Sequence, residues 1–315
     1  MSKSKHASFN VYQSITDSIV AAIEDGASPV EMPWHVAGGH GLPQNAATGR
    51  PYRGVNVVSL WAASMTHGFT TPLWATYRQW SLLGAQVRRG EKGSVIVFYK
   101  QVEIDEPADE ADGTDRPAMR FLARASRVFN ADQVEGYTLT ERPAADPVVA
   151  CARADAFVAA TGAAVRHGAD AAFYSLTADL ILMPAPDAFI GTRTSTPTES
   201  YYGVLFHELV HWSGAEHRLA RDLYDRFGSD AYAMEELVAE LGAAFLCAEL
   251  GIAPSPRADH AAYLGHWLDV LRADNRAIVS AASKAAEALD YLLAFSRPEG
   301  LAGAEVVDET EIAGR

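Results

Sequence analysis

Residues 207–211 read His-Glu-Leu-Val-His and lie inside a segment with strong helix signals. Thr196 can cap, Pro197 suits the first helical position, and Glu199, three residues past Thr196, closes a capping box. The helix so opened runs through YYGVLFHELVHW and stops near Gly214. Residues four apart share a helix face, so His207 and His211 can reach one ion. Zinc suits imidazole and carboxylate ligands and, in catalytic sites, keeps one position for water. Glu208 follows the first histidine, where it can reach that water and not the metal. Its role would be to take the proton as water attacks and to pass it to the leaving amine. The plainer explanation is two core histidines with satisfied hydrogen bonds. It is the weaker one, because this motif arises by chance in only about 2% of chains of this length.

A third ligand must come from elsewhere, and three residues compete. Glu236 sits in the next apolar helix, AYAMEELVAELGAAFLCAEL, which follows Ser229 and ends at Gly251. Glu236 and Glu240 together resemble the Glu-x-x-x-Asp pattern of gluzincins, in which the first acid binds metal and the second braces a ligand histidine. Glu240 is itself a candidate ligand. His217 is the third, because HELVHWSGAEH fits the longer metzincin spacing; that family also needs a Met-turn, and Met234 lies in a helical context instead. Glu236 is favoured. The expected cofactor is Zn2+, with Mn2+ as an alternative.

The remaining chain reads as α+β. Helices are expected over Val11–Ile23, Trp74–Leu83, Val148–Thr161 and onward from Gly251 to about Phe295. Strands are expected at Ser94–Tyr99, at Phe121–Phe129 as its partner, and within Ala172–Met183. Residues 42–54 are turn-rich. The stretch 103–117, EIDEPADEADGTDRP, reads as an acidic loop or arm, and TERPAADPV at 140–148 as a break between domains. The division is 1–140 and 141–315. Cys151 and Cys247 belong to no C-x-x-C pair, so neither a disulfide framework nor cysteine-ligated zinc is expected. The first residues, MSKSKHASFN, lack an apolar signal core, and no apolar run is long enough to span a bilayer, so a soluble cytoplasmic protein with no membrane partner is expected.

The tract HELVHWSGAEHRLARDLYDRFGSDAYAMEELVAELGAAFLCAELGI resembles the metallopeptidase domain of ArdC-type antirestriction proteins, which conjugative plasmids and other mobile elements encode. PWHVAGGHGLPQNAATGRPYRGVNVVSLW, WATYRQWSLLGAQVRRGEKGSVIVFYK and RVFNADQVEG resemble the single-stranded-DNA-binding domain that precedes it. The resemblance covers about Tyr12 to Ala294. It implies an α+β ssDNA-binding domain before a mainly helical zincin-like domain with a small sheet. It also implies protection of incoming DNA from restriction, with a protein of the restriction machinery as a possible substrate. Two alternatives are a non-catalytic DNA shield with a structural metal, and a peptidase whose first domain recognises protein.

The formal net charge is −14, which argues against nucleic-acid binding by the chain taken as a whole. Residues 50–100, however, carry Arg50, Arg53, Arg78, Arg88, Arg89, Lys92 and Lys100 against one acid, Glu91. Tyr52, Trp61, Phe69, Trp74, Tyr77 and Trp80 are interleaved with them. Cations for phosphates and rings for bases are what non-specific ssDNA binding uses. The candidate DNA contacts are Arg53, Trp74, Arg78, Arg88, Arg89 and Lys92, with Trp80 as a second possible stacking ring.

Overall fold

The computed structural model describes residues 10–25, 34–35, 41–104, 118–139, 147–192, 195–221, 230–253 and 260–296. Helix α1 (Val11–Glu24) opens where the Asn10 side chain accepts the Gln13 amide at 3.2 Å. Its apolar positions Ile15, Ile19 and Ile23 are buried, in line with their spacing. A two-residue strand, β1 (Gln44–Asn45), precedes α2 (Val55–His67). The sequence does not announce α2 because the helix is buried on most sides, at Val57, Val58, Leu60, Trp61 and Ala62 among others. Such a helix shows no apolar stripe.

The stretch expected as one helix from Trp74 divides in two. β2 (Leu73–Thr76) pairs with β1 and with β5 (Ala118–Asn130), and α3 (Tyr77–Leu82) begins only afterwards. Thr76 is the divider. Its hydroxyl accepts the Gln79 amide at 3.3 Å, while the Gln79 side chain accepts the Thr76 amide at 2.9 Å. The two expected partner strands belong to β4 (Ser94–Ile104) and β5, antiparallel with Ser94 opposite Val128 and Ile104 opposite Ala118. Of the acidic arm, Glu103 and Ile104 belong to β4, and residues 105–117 lie outside the described residues.

The sheet order β1-β2-β5-β4 makes β4 an edge. Helix α2 covers it. Asn56 Nδ2 donates to the Val97 carbonyl at 2.7 Å and Oδ1 accepts the Val97 amide at 2.8 Å, while Ser59 donates to the Val95 carbonyl at 3.0 Å. Side chains thus take the place of a neighbouring strand and blunt the edge. A separate ribbon pairs β3 (Gln86–Val87) with β6 (Val134–Glu135).

The second half is mainly helical. After α4 (Pro147–Thr161) come β7 (Ala164–His167), β8 (Phe173–Ser175) and β9 (Leu180–Met183), in a sheet of order β7-β9-β8. The strand content expected in 172–183 is β8 and β9. The sequence does not mark β7, because Ala-Val-Arg-His offers one β-branched residue and no apolar run like the LILM of β9. Then follow α5 (Pro197–Ser213), α6 (Asp230–Leu250), α7 (His260–Ala273) and α8 (Ala277–Ala294).

One apolar core runs through both halves. Ile15 and Ile19 of α1 and Leu60 and Trp61 of α2 belong to the same buried cluster as Leu241 and Phe245 of α6 and Ile278 and Leu292 of α8. The Trp61 and Phe245 rings lie 5.7 Å apart, and Thr16 Oγ1 donates to the Asn275 carbonyl at 2.9 Å. A smaller cluster holds Ala75, Trp80, Ala85, Val87 and Ala131. Cys151 and Cys247 are free thiols, and no described helix is long and apolar enough to cross a membrane.

Helices α5 and α6 approach closely at Gly242, where an added Cβ would meet the two methyls of Val210 at 2.7 and 3.0 Å. Helix propensity alone favours alanine over glycine by about 1 kcal/mol, so packing is the reason for glycine here. Val210 cannot swing aside easily, because a β-branched side chain is stiff at χ1 in a helix. Gly242→Ala is therefore expected to destabilise the protein by roughly 1–3 kcal/mol. Adding Val210→Ala should recover part of the loss. Denaturant unfolding of the single and double variants measures both; an unchanged midpoint for Gly242→Ala would contradict the close approach.

Candidate metal centre

Helix α5 starts as its sequence predicts. Thr196 Oγ1 accepts the Glu199 amide at 3.3 Å, and Glu199 Oε2 accepts both the Thr196 amide and hydroxyl at 2.8 Å. Glu199 Oε1 also accepts the Ala253 amide at 3.2 Å, which ties the start of α5 to the chain beyond α6. Leu205, Phe206, Leu209, Val210 and Trp212 anchor the helix in the core, and His207 and Glu208 are buried with them. His211 is only partly buried.

His207 and His211 meet as their spacing requires, with the two Nε2 atoms 3.1 Å apart. Helix α6 brings the third donor. Glu236 Oε2 lies 3.4 Å from His207 Nε2, and its Oε1 lies 3.6 Å from His211 Nε2. One ligand atom from each of the three residues lies within 4.8 Å of the others, a grouping that could hold a metal ion.

Each imidazole also has a carboxylate facing its far nitrogen. Glu235 Oε1 is 3.3 Å from His211 Nδ1, and Glu240 Oε2 is 3.6 Å from His207 Nδ1. Carboxylates in those places favour the tautomer that carries its proton on Nδ1 and leaves the Nε2 lone pair for a ligand. Two Nε2 lone pairs and a carboxylate then face one point, which suits a divalent cation.

Glu235 is held in turn by Arg221. The guanidinium reaches Glu235 Oε2 through Nε at 3.1 Å and Oε1 through a terminal nitrogen at 3.0 Å, and it donates to the Val210 carbonyl and to Ser213 Oγ. Burial works to raise the Glu235 carboxyl, but His211 and Arg221 outweigh it and leave the group below the ordinary carboxylate range. For Glu236, burial again works upward. The His207 hydrogen bond, the His211 and His207 charges and the Tyr232 hydroxyl outweigh it and hold the group down at about 2. A metal ion would supply such positive charge permanently. Four carboxylates, Glu208, Glu235, Glu236 and Glu240, crowd this helix pair, and the guanidinium of Arg221 pairs with Glu235.

His217 stands apart from the three converging donors. Its side chain is 64% exposed, with Nε2 3.6 Å from Asp179 Oδ2. The turn after α5 swings it outward. Arg218 donates to the Trp212 carbonyl at 2.6 Å and to Tyr174 Oη at 3.0 Å, and it pairs with Asp179. The metzincin arrangement is therefore not formed.

The candidate DNA contacts separate into two sets. Arg78, Arg88, Arg89 and Lys92 are exposed, although Arg88 is engaged with Glu91 at 2.9 Å. Arg53 pairs with Asp290 of α8. Trp74 is a correction: it is fully buried, as is Trp80, because one lies in β2 inside the sheet and the other on the inner side of α3. Neither can stack on a base in this conformation. The exposed ring is Tyr77, at 53%, next to Arg78. The capping box T-Y-R-Q is legible in the sequence and gives the phase that turns Tyr77 outward. Trp34, His35, Arg221 and Glu235 carry no such signal, because their partners lie far away in sequence.

Residues 9–129 match the family model for the N-terminal domain of anti-restriction factor ArdC, and residues 152–284 match that for a zincin-like metallopeptidase. An uncharacterized protein, y4eC, of Sinorhizobium fredii is 45% identical over 286 residues, which is 90% of this chain and 91% of the relative. DNA primase TraC of Escherichia coli is 37% identical over 306 residues, which is 91% of this chain but 27% of TraC. The crystal structure of the antirestriction protein ArdC from plasmid R388 is similar in its metal-free form with a TM-score of 0.73 at 37% identity, over 91% of this chain and 98% of that one. Its Mn(II)-bound form gives 0.69 at 36% identity, over 92% and 100%. Both family models and a near full-length structural likeness agree, so this chain belongs to the ArdC-type antirestriction family, with an ArdC N-terminal domain followed by a zincin-like metallopeptidase domain.

Proposed function

We propose that the protein protects incoming DNA of mobile elements by binding single-stranded DNA through its first half (1–140) and cleaving a protein through a metal-dependent site in its second (141–315). The observation that carries the peptidase reading is the convergence of His207, His211 and Glu236 beside the buried carboxylate of Glu208. His207, His211 and Glu236 would hold Zn2+ or, as in the Mn(II)-bound relative, Mn2+. Such an ion, when bound, polarises a carbonyl and lowers the pKa of water. Glu208 follows His207 in the helix and so lies about 100° around its axis, beside the ligand set rather than in it. Its carboxylate accepts the proton of the attacking water and returns it to the leaving amine nitrogen. Glu235, 3.3 Å from His211 Nδ1, would hold that imidazole in the tautomer that faces the ion, and the Glu240 carboxylate, 3.6 Å from His207 Nδ1, would favour the same tautomer there by its charge. Glu208 favours catalysis over a purely structural metal, since a structural site has no use for a general base.

Arg78, Arg88, Arg89 and Lys92 are the cations proposed to track the phosphates, and Tyr77 the ring proposed to stack on a base. Tyr77 and Arg78 belong to α3, and Arg88, Arg89 and Lys92 follow β3 of the two-stranded ribbon. A substrate in the restriction machinery fits a protein that acts where incoming DNA is being attacked.

Elemental analysis of the full chain should find one divalent ion per molecule. That ion should be lost in His211→Ala and in Glu236→Ala and kept in His217→Ala. Retention in Glu236→Ala would remove this carboxylate from the ligand set.

Glu208→Gln should keep both metal and melting temperature. A search for proteins cleaved by the parent should find none cleaved by the variant; cleavage by both would dismiss Glu208 as the proton carrier.

In the full chain, neutralising Arg88, Arg89 and Lys92 together should weaken ssDNA binding. It should also flatten the salt dependence by about 0.7 in log–log slope for each phosphate that is no longer neutralised. Tyr77→Ala should cost about 1–3 kcal/mol if the ring stacks on a base. Indole emission from Trp74 and Trp80 should change little on adding oligonucleotide. Wild-type affinity at low salt in the triple variant would move the DNA surface elsewhere.

A further inference from the structure

Two adjacent residues of the ArdC-type N-terminal half, Trp34 and His35, reach into the second half and end on one atom. Trp34 Nε1 lies 3.1 Å from Glu240 Oε1, and His35 Nε2 lies 2.6 Å from the same oxygen. Trp34, His35 and Glu240 are all buried, and the Glu240 side chain is only 5% exposed. Against an ionised Glu240, a ring nitrogen at this distance is the donor, with the His35 proton on Nε2. A buried carboxylate is costly unless hydrogen-bonded, and these donors satisfy Oε1. They also fix the side-chain rotamer, which aims Oε2 at Nδ1 of His207, 3.6 Å away.

We propose that Trp34 and His35 are positioning residues of the metal centre, and that the N-terminal half thereby completes a site whose ligands all belong to the other half. The inference rests on reading His207, His211 and Glu236 as ligands. Partners behind a ligating histidine fix its ring orientation and tautomer, and losing them typically weakens metal binding about 10- to 100-fold. The interaction spans more than 200 residues of chain, from Trp34–His35 to Glu240. The zincin-like half without its N-terminal partner would lose both donors to Glu240.

The test uses Co2+ as the probe, in the full chain, with affinity measured by chelator competition and site geometry by the visible absorption of the bound ion. His35→Ala should bind Co2+ more weakly by about 10-fold or more and give an altered spectrum. Trp34→Phe, which keeps a ring in the core but removes the donor, should weaken binding by less. His35→Gln keeps an N–H donor and should restore the parent spectrum. His217→Ala should match the parent throughout. Parent-like affinity and spectrum in both His35→Ala and Trp34→Phe would overturn the proposal. If His35→Ala does not fold, Trp34→Phe decides by the same criterion. A parent chain that takes up no stoichiometric Co2+ would overturn the ligand assignment itself, a failure that the variants alone cannot produce.

Discussion

Burying carboxylates is the constraint around which the second half is organised. Glu208, Glu235 and Glu240 are all buried, and Glu236 nearly so. A buried acid without partners costs several kcal/mol. Arg221 answers Glu235, Trp34 and His35 answer Glu240, and the two histidines answer Glu236. Arg221 is the guanidinium in that set. The same interactions that make the acids tolerable also fix the imidazoles, so the cost of burial and the geometry of the site have one solution.

That solution depends on how closely two helices approach. Glu236 can face both Nε2 atoms because α6 lies against α5, and Gly242 is what allows Val210 to sit there. The helix that carries the histidines is meanwhile fixed at its start by the Thr196–Glu199 box and near its end by Arg221 on the Val210 carbonyl. A site held at both ends and along one side has its donors fixed by the surrounding packing, which is what preorganisation requires.

The first half uses its aromatics differently from what composition suggests. Trp34, Trp61, Trp74 and Trp80 are core residues, and Trp61 packs on Phe245 of the second half. Among the described residues, the exposed groups around α3 include Arg78, Arg88, Arg89 and Lys92, with Tyr77 as an exposed ring. Because α1 and α2 share a core with α6 and α8, the two halves are joined by one packed core.

Local sequence was sufficient for whatever one helix can express. A period of 3.6 brings His207 and His211 together wherever the helix lies, the capping box marks where it starts, and Glu208 follows from its place beside the first histidine. The helices 148–161 and 230–250, the helical character of the chain from there to about Phe295, and the 94–99 and 121–129 strand pair were legible from local pattern, although the division into α7 and α8 was not. Sequence did not show α2, whose burial erases the apolar stripe, nor the strand that begins what looked like a helix at Trp74, since sheet pairing with β5 decides that conformation. Sequence favoured Glu236 over Glu240 and His217, but its approach to both imidazoles, the brace of Arg221 on Glu235, and the reach of Trp34 and His35 to Glu240 were tertiary decisions. Each depends on which distant surfaces pack together, and no spacing along the chain encodes that.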